Sequence, residues 1–392
     1  MNGRIRDWGR TLVCIALVAG LTACAPRSQP QSWLSAPSPV TAGVDQFRST
    51  DTSLVENAGP ISVYLLRLDP KVVTLVSALA NDRVADAELV SGIAARRGAI
   101  AAINGGYFNR TNGEPAGLLK VAGELVSDSS RAKGAVIIRT ATGQPVRLTF
   151  DQLSAKLTMT CESSETTWTI PIAGVDTTRA RGKTMLYTSA YGSDTGTAPT
   201  GTEWILDNDP LRVTDVRPAA GHTPIPPRGA VLSFGGTTLP DALAALVPDV
   251  RVTFETTWKS VNGLSRTELD EADHIVNGAG LLRREGRVLT DWSVEDLSVD
   301  AFTDARHPRT LIGVDKRGFI WLAAIDGRQP DYSIGMRFSD LQRLADRLDL
   351  TDALNLDGGG STTMVVRGQV VNRPSDPGGA RPVADAILVL PN

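Results

Sequence analysis

The segment Ala353–Val366, ALNLDGGGSTTMVV, constrains this chain more than any other. Ala353, Leu354 and Leu356 surround Asn355 at one end, and Met364, Val365 and Val366 close the other, so both ends read as buried strand. Between them lie Asp357, the run Gly358-Gly359-Gly360 and the hydroxyls of Ser361, Thr362 and Thr363. Such a run interrupts a strand, because glycine adds no packing and costs backbone entropy. Bare backbone lets N–H groups approach a ligand and form an anion-binding nest. A glycine turn joining two strands accounts for the same residues without any ligand, so the neighbours have to decide.

Those neighbours are the most regular part of the chain. Arg309–Val314 reads as a strand, Lys316-Arg317-Gly318 as a turn, and Phe319–Ile325 as a buried strand ending at Asp326-Gly327-Arg328. A helix follows from a capping box with Ser339 at the N-cap and Gln342 at N3, its apolar face formed by Leu341, Leu344, Ala345 and Leu348. Strand, helix, strand suggests a parallel pair joined by a right-handed crossover. Ligands collect at the carboxyl ends of such strands, where Asp326 and Asp357 would emerge together.

Upstream, Ile61–Leu68 and Val72–Leu79 read as strands around Asp69-Pro70, Arg83–Arg97 as a helix ending at Gly98, and Ala99–Ile103 as a short buried strand. Residues 136–270 are strand after short strand with no long helix, a β-rich middle region that reads as an insertion. The expected fold class is α+β: a mixed β-sheet core with a few helices. The domain is expected to span 46–392.

The N-terminus reads as an address. Arg4, Arg6 and Arg10 precede the apolar run Thr11–Leu21, which is too short for the ~20 residues that cross a bilayer. Leu21-Thr22-Ala23-Cys24 resembles a bacterial lipobox, implying a signal peptide over 1–23 and a lipid on Cys24. Residues 24–45, rich in Pro, Ser and Gln, read as a flexible tether. The expected location is extracytoplasmic: the cell envelope, lipid-anchored to a membrane. With Cys14 in the signal and Cys24 lipidated, Cys161 alone remains and reads as a passive core thiol. Net charge of −3 over 392 residues supplies no basic field for nucleic acid. Oligomeric state is not legible.

Several catalytic machines are missing. Gly359–Thr363 lacks the closing glycine of a nucleophile elbow, no lysine follows the glycines as in a Walker A loop, and a strand rather than a helix follows, against a dinucleotide fingerprint. His222, His274 and His307 have no metalloprotease spacing, so no metal and no cofactor are called for, although a divalent cation between Asp326 and Asp357 is chemically admissible. What the chain does carry is polar residues beside glycine at strand ends: Asn104–Asn109, Arg306–Thr310, Asp326–Arg328, Asn355–Thr362 and Asn372-Arg373. Singly each is ordinary turn chemistry. Asp326-Gly327 suits a turn, His307 before Pro308 suits a loop, and Arg309 could pair with a surface carboxylate.

Together they resemble a family. INGGYFN (Ile103–Asn109), RHPRTLIGVDKRG (Arg306–Gly318), Asp326-Gly327-Arg328, and NLDGGGSTTMVV (Asn355–Val366) followed by Val370-Val371-Asn372-Arg373-Pro374 look like the phosphodiester glycosidases. The resemblance runs from about Ile61 to Arg381–Ala386, with Val276–Gly280 (VNGAG) departing from a fuller glycine run. It implies hydrolysis of a bond between a sugar's anomeric carbon and a phosphodiester. The leaving phosphate is a weak base and needs charge stabilisation. The backbone of Gly358, Gly359 and Gly360, the hydroxyls of Ser361 and Thr362, and Arg309 would supply it. A carboxylate is needed on the sugar side, first Asp357 and second Asp326, with His307 as an acid or phosphate donor. Asn104 and Asn109 would bind sugar hydroxyls, with Tyr107 or Phe108 stacking on the ring. Gly105, Gly106, Thr310, Arg328, Asn355 and Asn372 complete the substrate-binding set. The alternative is a lipoprotein that binds envelope glycans or sugar–phosphate polymers without cutting them. A weaker third reading is a metal-assisted phosphodiesterase using Asp326 and Asp357.

Overall fold

The computed structural model describes residues 33–391, apart from 142 and 298. The signal peptide, Cys24 and the first part of the tether lie outside the described residues. The end of the expected tether is already sheet. Ser38–Thr41 pairs antiparallel with Val44–Ser49, because Val40 and Val44 are buried in the core and pin the hairpin down.

The α+β expectation is corrected: the protein is mostly β, 45% strand and 12% helix. Nor is the sheet mixed in any large measure. Among the described strands the pairings are antiparallel, except Gly174–Val175 with Met185–Leu186. The expected helix Arg83–Arg97 shrinks to Val90–Arg96. Its first half cannot be helical, because the N–H groups of Val84 and Glu88 bond to the carbonyls of Ala190 and Val383. The later helix is Phe338–Arg347, its N-cap Arg337 two residues before the expected Ser339. Its start is capped by the Asp340 carboxylate, which accepts the Arg337 N–H at 2.9 Å, while Gln342 reaches out to Leu289.

An eight-stranded sheet runs in the order Ser38–Thr41, Val44–Ser49, Val63–Leu68, Ile320–Ile325, Arg309–Asp315, Leu350–Asn355, Leu281–Arg284, Arg287–Val288. A five-stranded sheet runs Gln369–Val370, Met364–Val366, Ala101–Asn104, Asp385–Pro391, Val73–Leu79. The two pack face to face. Leu66, Ile312, Leu322 and Leu354 from the first meet Leu75, Ile103, Ile387 and Val389 from the second. The far face of the larger sheet (Leu65, Leu311, Ala323) is covered by Phe338, Leu341 and Leu344 of the longer helix. The far face of the smaller is covered by Val90, Ile93 and Ala94. Burial on both faces explains why FIWLAAI is apolar throughout instead of alternating. A twelve-stranded sheet built mainly from the middle region carries its own core around Trp204, Leu206 and Leu232.

The expected parallel crossover is half right. Arg309–Asp315 lies between Ile320–Ile325 and Leu350–Asn355 and is antiparallel to both, in the registers Arg309↔Ile325 and Leu311↔Asn355. The two outer strands therefore point the same way but do not pair. Their carboxyl ends and the start of the Arg309 strand share one edge.

One buried carboxylate holds three segments of this frame. Glu295 accepts the N–H groups of Gly134 (2.9 Å), Gly280 (2.8 Å) and Leu281 (3.1 Å) and the Gln152 side-chain amide (2.7 Å). Truncating it strands several buried donors at once. Glu295→Ala is expected to destabilise the fold by at least about 3 kcal/mol, read as the shift in a denaturant unfolding curve.

Candidate active site

The shared sheet edge gathers the motifs. RHPR enters the Arg309 strand there, and Asp326-Gly327-Arg328 and Asp357–Gly360 leave from it. Pairing of Met364 with Ile103 brings INGGYFN to the same place from the smaller sheet. Asn104, fully buried, bolts the pieces together. Its Nδ2 donates to the Asp357 carbonyl at 2.7 Å, and its Oδ1 accepts from Thr310 Oγ1 at 2.8 Å and the Thr363 N–H at 3.1 Å.

Asp357 is half-buried at the lip of this edge. Its Oδ1 accepts the Gly358 N–H at 2.8 Å. The buried Ser361 hydroxyl lies beside the carboxylate without reaching good hydrogen-bond geometry. Burial pushes the Asp357 carboxyl up to about 6, against the opposing pull of Arg381 and Arg110.

Arginines, more than backbone amides, supply the positive charge here. A β-carbon on Gly359 would come within 3.0 Å of Arg328 Nη2, and one on Gly360 within 2.1 Å of Arg381 Nη2, so both guanidinium groups lie directly on the glycine run. Arg381 is held by Asp376 through Nε–Oδ2 (2.8 Å) and Nη2–Oδ1 (3.0 Å). Arg110, Asp376, Gly378 and Arg381 border an open hollow of about 570 Å³. Arg328 itself sits in the left-handed region at φ 60°, an uncommon conformation for a side chain this large. The preceding Gly327 is forced by contact, since a β-carbon would lie 2.7 Å from the Pro308 nitrogen.

His307 lies beside Arg328, with Nδ1 at 3.4 Å from Arg328 Nη2 and Nε2 at 3.4 Å from the Ala301 carbonyl. Burial, then the neighbouring cations Arg309 and Arg328, hold its pKa below the usual value. The neutral tautomer with the proton on Nε2 fits both contacts, leaving Nδ1 to accept from the arginine.

Other expected residues are at the edge but committed to the fold. Arg309 is buried. Its guanidinium donates to the carbonyls of Met336 (3.0 Å), Phe302 (2.6 Å) and Ala305 (3.1 Å), and packs against the Phe302 and Phe338 rings, which also meet each other edge to face. Asp326 is buried too and accepts Asn372 Nδ2 at 2.9 Å and the Arg373 N–H at 2.9 Å; burial raises it to about 6. Asn372 also donates to the Thr362 carbonyl (3.1 Å) and accepts the Met364 N–H, so this pair braces the back of the loop. Thr362 Oγ1 lies 3.4 Å from Thr310 Oγ1, whose own proton goes to Asn104. Asn355 Nδ2 donates to Ala279 O and the Tyr107 hydroxyl, which itself donates to Leu356 O. Phe108 packs into the core under the short helix, and exposed Asn109 caps a turn by accepting the Thr111 N–H.

The backbone cradle expected at Gly358–Thr362 is largely closed. The N–H of Gly359 bonds to Pro308 O, of Ser361 to Gly358 O and of Thr362 to Gly359 O. Among the described residues no group of three or more metal-ligating side chains occurs, and Asp326 faces N–H donors instead of an open site.

Three residues of the site were missed. Arg110 follows Asn109 directly, and Arg381 and Asp385 sit in the RPVADA segment that ends the resemblance. Gly105 is small because Asp385 lies against it, a β-carbon there falling 1.8 Å from Asp385 Oδ2; a β-carbon on Gly106 would instead meet the Asn277 carbonyl at 2.8 Å, and the Gly106 N–H donates to Asp385 Oδ1 at 3.1 Å. Burial raises Asp385 to about 7, and the charge of Asp357 pushes the same way.

With this geometry in view, the relatives of the chain can be read. Residues 201–390 match the model of the phosphodiester glycosidase family. It is 31% identical over 102 residues to the human N-acetylglucosamine-1-phosphodiester alpha-N-acetylglucosaminidase, a match covering 26% of this chain and 19% of that protein. The mouse enzyme of the same name is 30% identical over the same length. The chain thus spans about a fifth of the curated relatives it matches. In fold it is similar to a solved structure from Burkholderia pseudomallei, with TM-score 0.70 and 26% identity over 85% of this chain and 74% of that one. It is also similar to a hypothetical protein from Synechocystis, with TM-score 0.74 and 23% identity over 90% and 63%.

The buried carboxyl Asp385 has a consequence for stability. Its folded pKa of about 7 exceeds the ordinary 3.8, so between those values the folded protein holds a proton that the unfolded chain releases. Its contribution is present at low pH and is lost as pH rises toward about 7. Asp385→Asn is expected to melt at least as high as the parent near pH 8, and to lose less stability than the parent between about pH 5 and pH 8. Thermal unfolding of both proteins across that range checks it.

Proposed function

We propose that the protein hydrolyses the glycosidic bond between the anomeric carbon of a sugar and a phosphodiester, with Asp357 acting on the sugar and Arg110, Arg328 and Arg381 on the phosphate. The observation that supports this best is the position of Asp357, half-buried among guanidinium groups at the end of a strand. In that cleft a phosphodiester oxygen meets charge-assisted donors and the sugar side meets a carboxylate. Departure of the phosphate as an anion needs little protonation, so its charge is the larger demand. Asp357, ionised, attacks the anomeric carbon or removes a proton from the attacking water. His307, accepting at Nδ1, positions Arg328. Asp326 and Asn372 hold the loop from behind. The N-terminal segment ending at Cys24 would place the substrate among envelope glycans, on the lipid-anchored reading.

Two outcomes test the roles. A sugar-1-phosphodiester such as N-acetylglucosamine 1-(methyl phosphate) is expected to release free sugar. Asp357→Asn is expected to lower kcat by about 10³-fold with unchanged melting; normal turnover by this variant removes Asp357 from the mechanism. Arg381→Ala or Arg328→Ala is expected to cost about 10²-fold in kcat/KM.

The pH profile carries a sign. Asp357 works as the anion, so kcat/KM rises with pH and levels off above about 6, the value set in the free protein. A bound phosphodiester anion disfavours the charged carboxylate. The rising limb of kcat is therefore displaced to higher pH than that of kcat/KM, which initial-rate measurements at saturating and low substrate compare.

A further inference from the structure

The described residues hold a second hollow, of about 560 Å³, away from Asp357 and within the middle region. It is formed mainly by loops beside the strand Thr184–Thr188, before Gly201–Asp207 and after Ala230–Phe234, with Arg179, Arg181, Tyr187, Tyr191 and Thr197 in its lining. Its size falls within the range of about 300–1,000 Å³ common to small-ligand sites.

One wall is polar and already organised. Glu203, fully buried, accepts Thr197 Oγ1 at 2.7 Å and Ser233 Oγ at 2.8 Å, and lies 3.5 Å from Arg179 Nη1, which also donates to Ser233. Two aromatic rings share the lining. Tyr187 and Tyr191 meet edge to face, with ring centroids 4.8 Å apart. Tyr187 is fully buried, yet its hydroxyl has no hydrogen-bond partner among the described residues. Such an orphan is costly unless a ligand or water completes it. Arg181 stands exposed at the rim with no carboxylate partner among the described residues.

An aromatic pair beside hydroxyls and a guanidinium is the chemistry that holds a sugar. The ring takes the C–H face, and hydroxyl and arginine donors take the edges. The hollow is also wired to the candidate active site. The hydroxyls of Thr177 and Thr178 each donate to the Glu114 carboxylate at 2.8 Å, and Asn112 Nδ2 lies 3.3 Å from Thr178 Oγ1. Glu114 closes the Asn109–Glu114 turn, whose Asn109 N–H bonds to the Glu114 carbonyl and which carries Arg110.

We propose that this hollow is a saccharide subsite, holding a sugar unit of the substrate several residues from the scissile bond. The natural substrate is then an oligosaccharide or polymer bearing a phosphodiester, not an isolated sugar phosphodiester. The second statement rests on the hydrolase reading above; the binding site itself does not.

Binding and turnover are measured separately on the full chain. Calorimetric titrations use tetrasaccharides of glucose, mannose and N-acetylglucosamine as probes, and turnover uses N-acetylglucosamine 1-(methyl phosphate). At least one tetrasaccharide is expected to bind. Tyr191→Ala and Arg181→Ala are expected to weaken it tenfold or more while turnover of the small substrate stays at the parental rate. Tyr187→Phe removes only the orphan hydroxyl, so it is expected to melt no lower than the parent and still to lose affinity. Absence of binding by the parent protein for all three probes overturns the proposal, as does parental affinity in Tyr191→Ala and Tyr187→Phe. Binding that is lost in the variants, from a protein that turns over no sugar phosphodiester, upholds the subsite and removes the hydrolase reading alone.

Discussion

The side chain of Asn104 is the joint on which the site depends. Two sheets pack by their apolar faces, and apolar packing has no preferred register of its own. Something directional must set where the strand ends meet. Asn104 does so with one donor and one acceptor group. Through Asp357 O, Thr310 Oγ1 and the Thr363 N–H it ties the smaller sheet to two strands of the larger one and to both ends of the glycine run. Each bond contributes only about 1 kcal/mol net. Their value lies in cost when broken, since Thr310 and Thr363 are buried and have no water to turn to.

The same economy explains which charged residues are withdrawn from the cleft. Arg309 heads the central strand of that edge, where an aliphatic residue would take the guanidinium donors from the carbonyls of Phe302 and Ala305 and leave that of Met336 only the His307 N–H. Its planar fork reaches all three while the Phe302 and Phe338 rings pack against it, a geometry that lysine could not reproduce. Asp326 answers the Arg373 N–H and Asn372 in the same way. Both residues build the wall. The side chains that stay free to meet a ligand are those on the glycine loop and beside it.

Much of this was legible in the residues. Nearly every strand of the last third and the middle region follows from β-branched apolar runs between turn signals, and the convergence of Asn104, Asp357 and Arg328 follows from placing polar motifs at strand ends. The helices misled for a definite reason. Arg83–Arg97 has helical periodicity, but Glu88 is worth more as an acceptor for the Asn81 N–H and Arg96, and its own backbone is claimed by Val383. The insertion of the Arg309 strand between two parallel neighbours is invisible to any local pattern, because it depends on pairing across the sheet. Arg309 and Arg381 illustrate the remaining limit. Sequence marks both as arginines near a motif; only burial separates the one that props the fold from the one that faces the cleft.

The electrostatics of Asp357 come down to a contest between burial and positive charge. Two unit charges about 4 Å apart interact by about 4 kcal/mol near a protein surface, so a carboxylate alone would turn a phosphodiester away. The guanidinium groups of Arg110, Arg328 and Arg381 reverse the sign of the cleft, yet they do not drive Asp357 to a low pKa. Arg381 is already answered by Asp376, and desolvation outweighs what is left, leaving Asp357 at about 6. The charge of Asp357 in turn adds to the rise of Asp385 beneath Gly105, because like charges resist joint ionisation. A carboxylate tuned this way is largely ionised at neutral pH and still near enough to its titration range to take a proton back. On the proposed reading, a base for the attacking water uses both states in turn, ionised to take the water's proton and protonated until that proton passes to solvent, whereas a nucleophile uses the ionised state alone. The burial that looks like a penalty for Asp357 is what keeps both states within reach.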